Sequence, residues 1–491
     1  MTDHLSVAVE RLLRAALDRA LDPASHQQLD EAMRRLHEPL RLAIAGRVKA
    51  GKSTLLNALV GEELAATDAG ECTRLVTWYR DADTASVVAH RKDGREDPRP
   101  FSRDGGALEI DLGGSVDSVD HLRVSWPSSR LRELTLIDTP GIASLSKDVS
   151  ERTSVLLSTD DHRPAVADAV LYLLRHTHSS DVRFLEAFHD DELARGTPVN
   201  AVAVLSRADE IGSCRLDALE VASGIAVRYQ QDIRLRRLCP LVVPVAGLLG
   251  QAGTALREEE YRALARIAAL PAGTLEPLLL TADRMGREDA AIDITAIERR
   301  HLLDRLGLFG TRLCVDLIRR GEVTSATELA DELTRASGLG RLRAVLLSQF
   351  TERSRLLKCR SALAVARAVV RRGGCSDQPL LAASIEEVTT SAHEFAEIRL
   401  LNDVRSGAVE VPEQLVDEME RLLGGSGHSP AIRLGLPEGG SDDETRAAAL
   451  AARARWQRVA ESPLSSRALA MAARGVTRTC EGLLAAMVPA G

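Results

Sequence analysis

The chain has 491 residues, of which 45% are apolar, and its formal net charge at pH 7 is −8. This length predicts two or three domains, the apolar content excludes a disordered protein, and the negative charge argues against a protein that coats nucleic acid. The seven cysteines are scattered and include no CxxC pair, which favours reduced thiols in a cytoplasmic protein over a disulfide framework or a zinc site.

The first forty residues predict two amphipathic helices. Apolar residues recur every three or four positions over residues 6–21, and a second stripe runs from Ser25 to Leu36. Because both helices precede the first predicted strand, we expect them to pack on a helical bundle formed by the C-terminal part of the chain. Residues 1–17 contain no apolar block, so the sequence predicts no signal peptide.

A phosphate-binding loop follows the first predicted strand, residues 42–45. Residues 46–54 read GRVKAGKST, a complete GxxxxGK[ST] pattern. The glycines let backbone N–H groups converge on phosphate oxygens at the positive end of the next helix. Lys52 is then placed to reach the β- and γ-phosphates, and the hydroxyl of Ser53 to bind Mg²⁺. The residues predicted to bind nucleotide here are Gly46, Ala50, Gly51, Lys52, Ser53 and Thr54.

A polar loop at residues 67–74 precedes the predicted strand 75–79. In a GTPase, a threonine of this loop closes over the nucleotide and completes the Mg²⁺ shell. Thr73 is the predicted metal ligand because it lies just ahead of the strand, and Thr67 is the alternative.

A second nucleotide motif follows the apolar run 134–137, which ends in Asp138-Thr139-Pro140-Gly141. The carboxylate of Asp138 is predicted to hold a water molecule bound to the metal, and the N–H of Gly141 to sense the γ-phosphate.

A third motif predicts which base is bound. The apolar run 199–205 ends in Ser206-Arg207-Ala208-Asp209. The carboxylate of Asp209 can accept hydrogen bonds from the ring N–H and the exocyclic amine of guanine, whereas adenine would leave it unpaired. GTPases usually carry Asn or Thr and then Lys at the first two positions, so Ser206 and Arg207 predict weaker affinity with guanine selectivity retained. The next strand-like run, 241–245, leads to Ala246, whose small side chain lets the backbone approach the base.

The remaining elements are extended first and helical afterwards. Further strands are predicted at 86–90, 121–126 and 169–174, with the charged stretch 91–114 as a connection. The longest uncharged run, 238–256, contains prolines and glycines and is read as the last strand and a loop, not a membrane span. Helices are predicted at 257–270, 297–320, 337–350 continuing as a neck over 353–372, 380–401, 413–423, 444–461 and 463–487.

The segment 424–441 is rich in Gly, Ser and Pro and is predicted to be a loop. Its apolar group around Ile432, with the positive charge of Arg433, fits either a plain connector or a tip that touches a membrane.

Taken together, the sequence resembles bacterial dynamin-like GTPases, specifically the isoniazid-inducible IniC type of actinobacteria. The resemblance covers nearly the whole chain and is strongest in residues 46–61, 73–78, 138–141 and 206–212. It implies an α/β P-loop GTPase domain with a mixed, mostly parallel sheet and an α-helical bundle or stalk. The implied domains are residues 1–40, helices packing on the stalk; 41–350, the GTPase domain with a helical insertion; and 351–491, the neck and stalk.

The resemblance also implies a function. The protein would bind and hydrolyse GTP with Mg²⁺, pair through its GTPase domains or with a paralogous dynamin-like protein, and remodel membrane lipid peripherally at the inner face of the plasma membrane. Ile142 stands where small GTPases carry a water-orienting Gln, so backbone groups and the loop around Thr73 would hold the water. Lys49 lies where guanylate-binding proteins carry an arginine that stabilises transition-state charge; a solvent-facing lysine is the alternative.

Two other function classes remain open from the residues alone. One is a non-catalytic GTP-binding scaffold for a paralogous partner, which the altered Ser206-Arg207 pair allows. The other is an Era-like GTPase associated with RNA or the ribosome, which would need a compact basic module where this chain has long helices with mixed charge. We therefore expect no nucleic-acid partner.

Overall fold

A nine-stranded sheet forms the centre of the GTPase-like part of the protein. The computed structural model describes residues 4–65, 75–103, 108–112, 118–140, 167–175, 201–232, 235, 238–239, 241–288, 292–351, 353–405, 407–437 and 441–487. The strands are β1 (Leu40–Gly46), β2 (Val76–Asp81), β3 (Ser86–Arg91), β4 (Glu96–Arg99), β5 (Phe101–Arg103), β6 (Leu108–Ile110), β7 (Val119–Trp126), β8 (Leu134–Asp138), β9 (Ala169–Leu174), β10 (Ala201–Ser206) and β11 (Val242–Val245).

The sheet order is β11-β10-β9-β1-β8-β2-β7-β3-β4, with β5 and β6 pairing separately. Strands β11 to β8 run parallel, β2 pairs antiparallel with β8 and parallel with β7, and the far edge is antiparallel. The predicted fold class, a mixed and mostly parallel sheet with a helical bundle, is confirmed.

The central strands are buried on both faces, as their mostly apolar sequences predict, and Arg41 is the one charged residue of β1. On β1, Leu42 and Ile44 belong to one apolar cluster, and Ala43 and Ala45 belong to another on the opposite face. Helices cover both faces of the sheet, so alternate side chains of a strand are buried on opposite sides, and an apolar run is therefore stable here as a strand.

The helices follow in the same chain order. They are α1 (His4–Leu17), α2 (Pro23–Arg35), α3 (Lys52–Val60), α4 (Ala218–Gln231), α5 (Gly247–Ala255), α6 (Glu258–Ala268), α7 (Ala272–Leu278), α8 (Ala282–Gly286), α9 (Ala296–Arg320), α10 (Ala326–Ala336), α11 (Leu339–Leu346), α12 (Ser354–Arg371), α13 (Gln378–Ser391), α14 (His393–Arg405), α15 (Glu413–Leu422), α16 (Pro430–Leu434), α17 (Asp442–Glu461) and α18 (Arg467–Ala486).

The N-terminal hairpin α1–α2 packs on α12 and α13. The two hairpin turns pair through an antiparallel bridge between Ala20 and Cys375. A buried ion pair joins this bundle to the sheet, because Arg35 at the end of α2 donates to Asp168, just ahead of β9, at 2.7 Å. The first and last parts of the chain therefore meet at the amino ends of the central strands.

Helices α5 to α10, residues 247–336, form a helical insert with an apolar cluster that is separate from those of the sheet. A further cluster lies within α14 to α18, beyond the bundle formed with the N-terminal hairpin. No helix in the described ranges is both long enough and apolar enough to cross a bilayer.

The structure corrects several boundaries. The stretch 91–114, predicted to be a connection, contains β4, β5 and β6. The predicted continuous helix from 337 into the neck is broken: α11 ends at Leu346, and a π-helical turn, Leu347–Thr351, separates it from α12. Tertiary contacts override helix periodicity there, because Gln349 is buried and donates to the carbonyl of Gly425.

Two further predictions, one of a helix and one of a loop, were wrong in extent. The predicted helix 380–401 is two helices, α13 and α14, which meet at Ala392, whose backbone is extended. The predicted loop 424–441 contains the short helix α16, where Arg433 is buried and donates to Glu397 at 2.6 Å. The positive charge proposed for a membrane-touching tip is thus used inside the protein.

Candidate nucleotide-binding site

The phosphate loop joins β1 to α3, and its two glycines occupy positions that other residues would disturb. Gly46 has φ +152°, and a Cβ atom there would approach the carbonyl oxygen of Leu173 to 2.9 Å. Gly51 has φ +89° and is the N-cap of α3. Lys49, between them, also adopts a left-handed backbone, with φ +61°, and is exposed. The spacing of the motif therefore reflects real backbone demands.

The side chain of Lys52 folds back over this loop. Its Nζ atom donates to the carbonyl oxygens of Gly46 and Arg47, each at 3.3 Å. Burial lowers the pKa of Lys52, while the carboxylate of Asp138 opposes the shift. The ammonium group is thus held where the loop curls, next to the first turn of α3.

Ser53 and Asp138 come together although they are distant in sequence. The Oγ atom of Ser53 donates to Oδ2 of Asp138 at 3.2 Å. Burial raises the pKa of Asp138 to about 6, and its Oδ1 atom is buried without a hydrogen-bond partner among the described residues. A buried carboxylate with a bare oxygen beside a hydroxyl group provides the hard oxygen donors that suit Mg²⁺.

Among the described residues, no cluster of three or more histidine, cysteine or acidic side chains could hold a metal ion. Mg²⁺ in phosphate-binding sites characteristically takes few protein ligands and keeps water or phosphate oxygens for the rest. Ser53 and Asp138 therefore fit the ion expected with a nucleoside triphosphate.

A cleft of about 530 Å³, including its open mouth, continues from the phosphate loop toward β10 and β11. Six predicted residues line it: Ala50, Gly51, Thr54, Ser206, Arg207 and Asp209. The lining residues not singled out from the sequence are Leu55, Val204, Glu210, Val245, Gly247 and Leu248. Parallel strands end at one edge of a sheet, which is why motifs far apart in sequence meet here.

Asp209 lies in a short 3-10 turn directly after β10, and only 6% of it is exposed. Burial raises its pKa to about 6, and the neighbouring Glu210 adds to the effect. Perturbed carboxylates in a cleft are typical of functional sites. Asp209 therefore shares the cleft with Ala50 and Gly51 of the phosphate loop, where its carboxylate can contact a bound ligand.

The two unusual residues of this motif make contacts within the protein. Ser206 donates from Oγ to the carbonyl of Leu174 at 3.1 Å. Arg207 has φ +53° and donates to Oε1 of Glu210 at 2.5 Å, while Arg175 donates to Oε2 of Glu210, also at 2.5 Å. Sequence analysis missed Glu210; the available signal was an acidic residue three positions after an arginine.

Not every predicted residue lies at the cleft. Ala246 is fully buried, and its N–H donates to the carbonyl of Ser337, so Val245 and Gly247 line the cleft on either side of it. Both neighbours of Ala246 line the cleft and Ala246 does not, so the approach of the backbone to a base at this point stays a prediction. Thr67, Thr73 and Gly141 lie outside the described residues.

Comparison with known proteins supports these motifs. Residues 42–203 match the model of the dynamin family. The isoniazid-induced protein IniC of Mycobacterium tuberculosis is 40% identical over 93% of this chain and 92% of its own length. A bacterial dynamin-like protein of Nostoc punctiforme is 28% identical over 30% of this chain and 22% of its own length. The match to a solved oligomerised bacterial dynamin pair covers 99% of this chain and 91% of that chain, with 13% identity and a TM-score of 0.35.

Proposed function

Because the chain belongs to the family of the isoniazid-induced protein IniC and carries a dynamin-family GTPase domain, we propose that it binds and hydrolyses GTP with Mg²⁺. We further propose that the nucleotide cycle moves its helical stalk during peripheral membrane remodelling. One observation carries the proposal: Lys52, Ser53 and Asp138 lie together beside the phosphate loop, and Ala50 and Gly51 of that loop line the same cleft as Asp209.

The base would be recognised by Asp209. As a carboxylate it accepts the ring N–H and the exocyclic amine of guanine, and adenine offers no matching pair of donors. The stem of Arg207 lines the same cleft and is held by Glu210, so it can lie along the face of the purine.

The phosphates would lie on the loop between Gly46 and Gly51. Lys52 would release its two loop carbonyl groups and take phosphate oxygens as partners, since a charged donor gains more from a phosphate than from a neutral carbonyl. Ser53 and Asp138 would hold Mg²⁺, directly or through water, and the ion would neutralise charge that develops on the phosphates. Thr73 and Gly141 are proposed to complete this end of the site.

The stalk would respond at the opposite edge of the sheet. Arg35 and Asp168 tie the N-terminal hairpin to β9, and Lys358 of α12 donates to the carbonyl of Glu38, just ahead of β1, at 3.0 Å. We propose the division 1–40, 41–350 and 351–491, with the first and last parts moving together. Pairing of GTPase domains, or with a paralogous dynamin-like protein, would use Lys49 at the phosphate loop.

Membrane contact is proposed to involve the hairpin of α17 and α18. Leu464, in the turn between them, is 97% exposed, and Met471 on α18 is 60% exposed. A basic residue, Arg467, begins α18. Exposed apolar side chains next to a positive charge suit an anionic lipid surface. We therefore propose that the protein acts peripherally at the inner face of the plasma membrane.

Steady-state phosphate release from GTP, with and without anionic liposomes, tests the proposal. Lipid-stimulated turnover supports the membrane-remodelling GTPase. Turnover that ignores lipid would favour an RNA- or ribosome-associated GTPase. Retained GTP binding without turnover would favour a non-catalytic scaffold. The hydroxyl group of Ser206 donates to a carbonyl group within the protein, which is compatible with that alternative. Binding of ATP as tight as that of GTP would overturn the base assignment.

A further inference from the structure

The helical insert reaches the base end of the cleft through α9. This helix has a kink at Gly307, where φ is +67° and ψ is 178°. A Cβ atom on Gly307 would lie 3.5 Å from Cδ1 of Leu248 and 3.9 Å from Oδ2 of Asp209. The second half of α9 therefore starts beside the carboxylate that is proposed to read guanine.

The segment that carries Asp209 is bounded by left-handed backbone on both sides. Arg207, before it, has φ +53°. After it, Gly212, Ser213 and Cys214 follow one another with φ of +63°, +61° and +59°. Glycine adopts such angles freely, but Ser213 and Cys214 pay a steric cost, so the surrounding structure must hold them in place.

Arg312 of α9 supplies that hold. Its Nη1 atom donates to the carbonyl oxygens of Ser213 at 3.1 Å and Cys214 at 2.6 Å. Its Nε and Nη2 atoms donate to the carbonyls of Leu279 and Leu280, each at 2.9 Å, at the end of α7. A planar guanidinium group can serve these directions at once, whereas an ammonium group cannot.

We propose that Arg312 is a positioning residue for base recognition. By donating to the two carbonyl groups of the left-handed turn, it fixes the chain four and five residues after Asp209, while Glu210 fixes Arg207, two residues before it. The helical insert is then part of the base-reading device. This inference rests on the proposed function, because it requires that Asp209 read guanine.

The test compares two nucleotides that carry identical phosphates. Hypoxanthine lacks the exocyclic amine of guanine, so the ratio of IDP to GDP dissociation constants reports how well Asp209 is aimed. Arg312→Gln should reduce this preference by about tenfold, the scale of a lost charged hydrogen bond, and leave kcat at saturating GTP largely unchanged. Arg312→Lys should reduce it less, because the charge remains while the planar contacts are lost.

Arg320→Gln is the matched control, because Arg320 ends the same helix and is 53% exposed in ion pairs with Asp316 and Glu322. Melting temperatures are measured for all variants. An unchanged GDP preference in both Arg312 variants would overturn the inference, as would an equal loss of GDP and IDP affinity. A wild-type protein that does not distinguish GDP from IDP would instead refute the assignment of Asp209, and with it the proposed function.

Discussion

The Oγ atom of Ser53 lies 3.2 Å from Oδ2 of Asp138, which joins the first turn of α3 to the end of β8. The two residues are 85 positions apart in sequence. The contact places the hydroxyl and the carboxylate expected to hold Mg²⁺ in one small space beside Lys52, and several measurable consequences depend on it.

Asp138→Asn should separate stability from activity. Burial raises the pKa of Asp138 from 3.8 to about 6, so its bound proton stabilises the fold in full below pH 3.8, and this stability is lost as the pH rises from 3.8 through about 6. At pH 7.5 and without nucleotide, the free energy of unfolding of the variant should therefore be about 1–3 kcal/mol higher than that of the wild type. Its Mg²⁺-dependent turnover should fall by about tenfold or more. Calorimetry and phosphate release measure the two effects. Turnover equal to that of the wild type would contradict the metal assignment.

Lys49→Ala tests the transition-state role proposed at the phosphate loop. Lys49 is exposed and held in a left-handed backbone, so removing its side chain should leave GDP affinity intact. Turnover that rises with protein concentration should fall by about tenfold, because a cation on the transferring phosphoryl group would be lost. Lys92→Ala, at an exposed turn after β3, is the control. If basal and concentration-stimulated rates both stay unchanged in Lys49→Ala, the role is wrong.

Acid should weaken guanine recognition. Burial raises the pKa of Asp209 to about 6, and only the carboxylate accepts both guanine donors well. The advantage of the wild type over Asp209→Asn in GDP affinity should therefore be constant at neutral pH and decline below about pH 6, by at most tenfold per pH unit. Both proteins bind the same nucleotide, so phosphate titration cancels in the ratio of their dissociation constants. An advantage that does not change between about pH 5 and about pH 8 would exclude Asp209 as the residue that recognises guanine.

Glu397 should make the stalk sensitive to acid. Burial opposes its ionisation, but hydrogen bonds from His393 and Thr479 and the charge of Arg433 hold its pKa at about 2, below the usual 4.5. The resulting stability, about 3 kcal/mol, is present above pH 4.5 and lost as the pH falls toward 2.

Glu397→Gln should remove that stability at neutral pH and leave Arg433 buried without its ionic partner. Thermal unfolding across pH measures the effect, and Glu394→Gln, exposed on the same helix, is the control. Equal melting temperatures for the two variants would contradict the prediction.

Leu464→Asp should weaken lipid binding. The side chain is 97% exposed, so the change should not affect folding, but a carboxylate near an anionic bilayer is repelled and adds no apolar contact. Co-sedimentation with anionic vesicles, with and without a non-hydrolysable GTP analogue, measures the effect. Ile297→Asp, at a 74% exposed position of the helical insert, is the control. If both variants co-sediment with the vesicles to the same extent, Leu464 does not contact lipid and the proposed contact is wrong.

Local sequence patterns were sufficient to identify most of the sheet and the phosphate loop. The short runs directly before Gly46 and Ser206 are apolar without interruption, the run before Asp138 is interrupted only by Thr135, and strands covered on both faces favour such runs. The glycines of the loop were equally predictable, because their backbone angles and close contacts exclude side chains. These features depend on neighbours in the sequence, and so the sequence alone reveals them.

Other features depend on residues that are distant along the chain. At the break after α11, Gln349 donates a hydrogen bond to the carbonyl of Gly425. Arg433 donates to the carboxylate of Glu397 among the C-terminal helices, and Arg312 donates to the carbonyl of Cys214 in the turn that follows Asp209. None of these partners follows from periodicity or composition, because the residues around a glutamine or an arginine in the sequence do not show which distant group it will contact. A linear pattern records which residues favour a helix, a strand or a phosphate loop. Only the tertiary structure determines which buried donor is paired with which carbonyl or carboxylate oxygen, because each pairing depends on how several elements pack together.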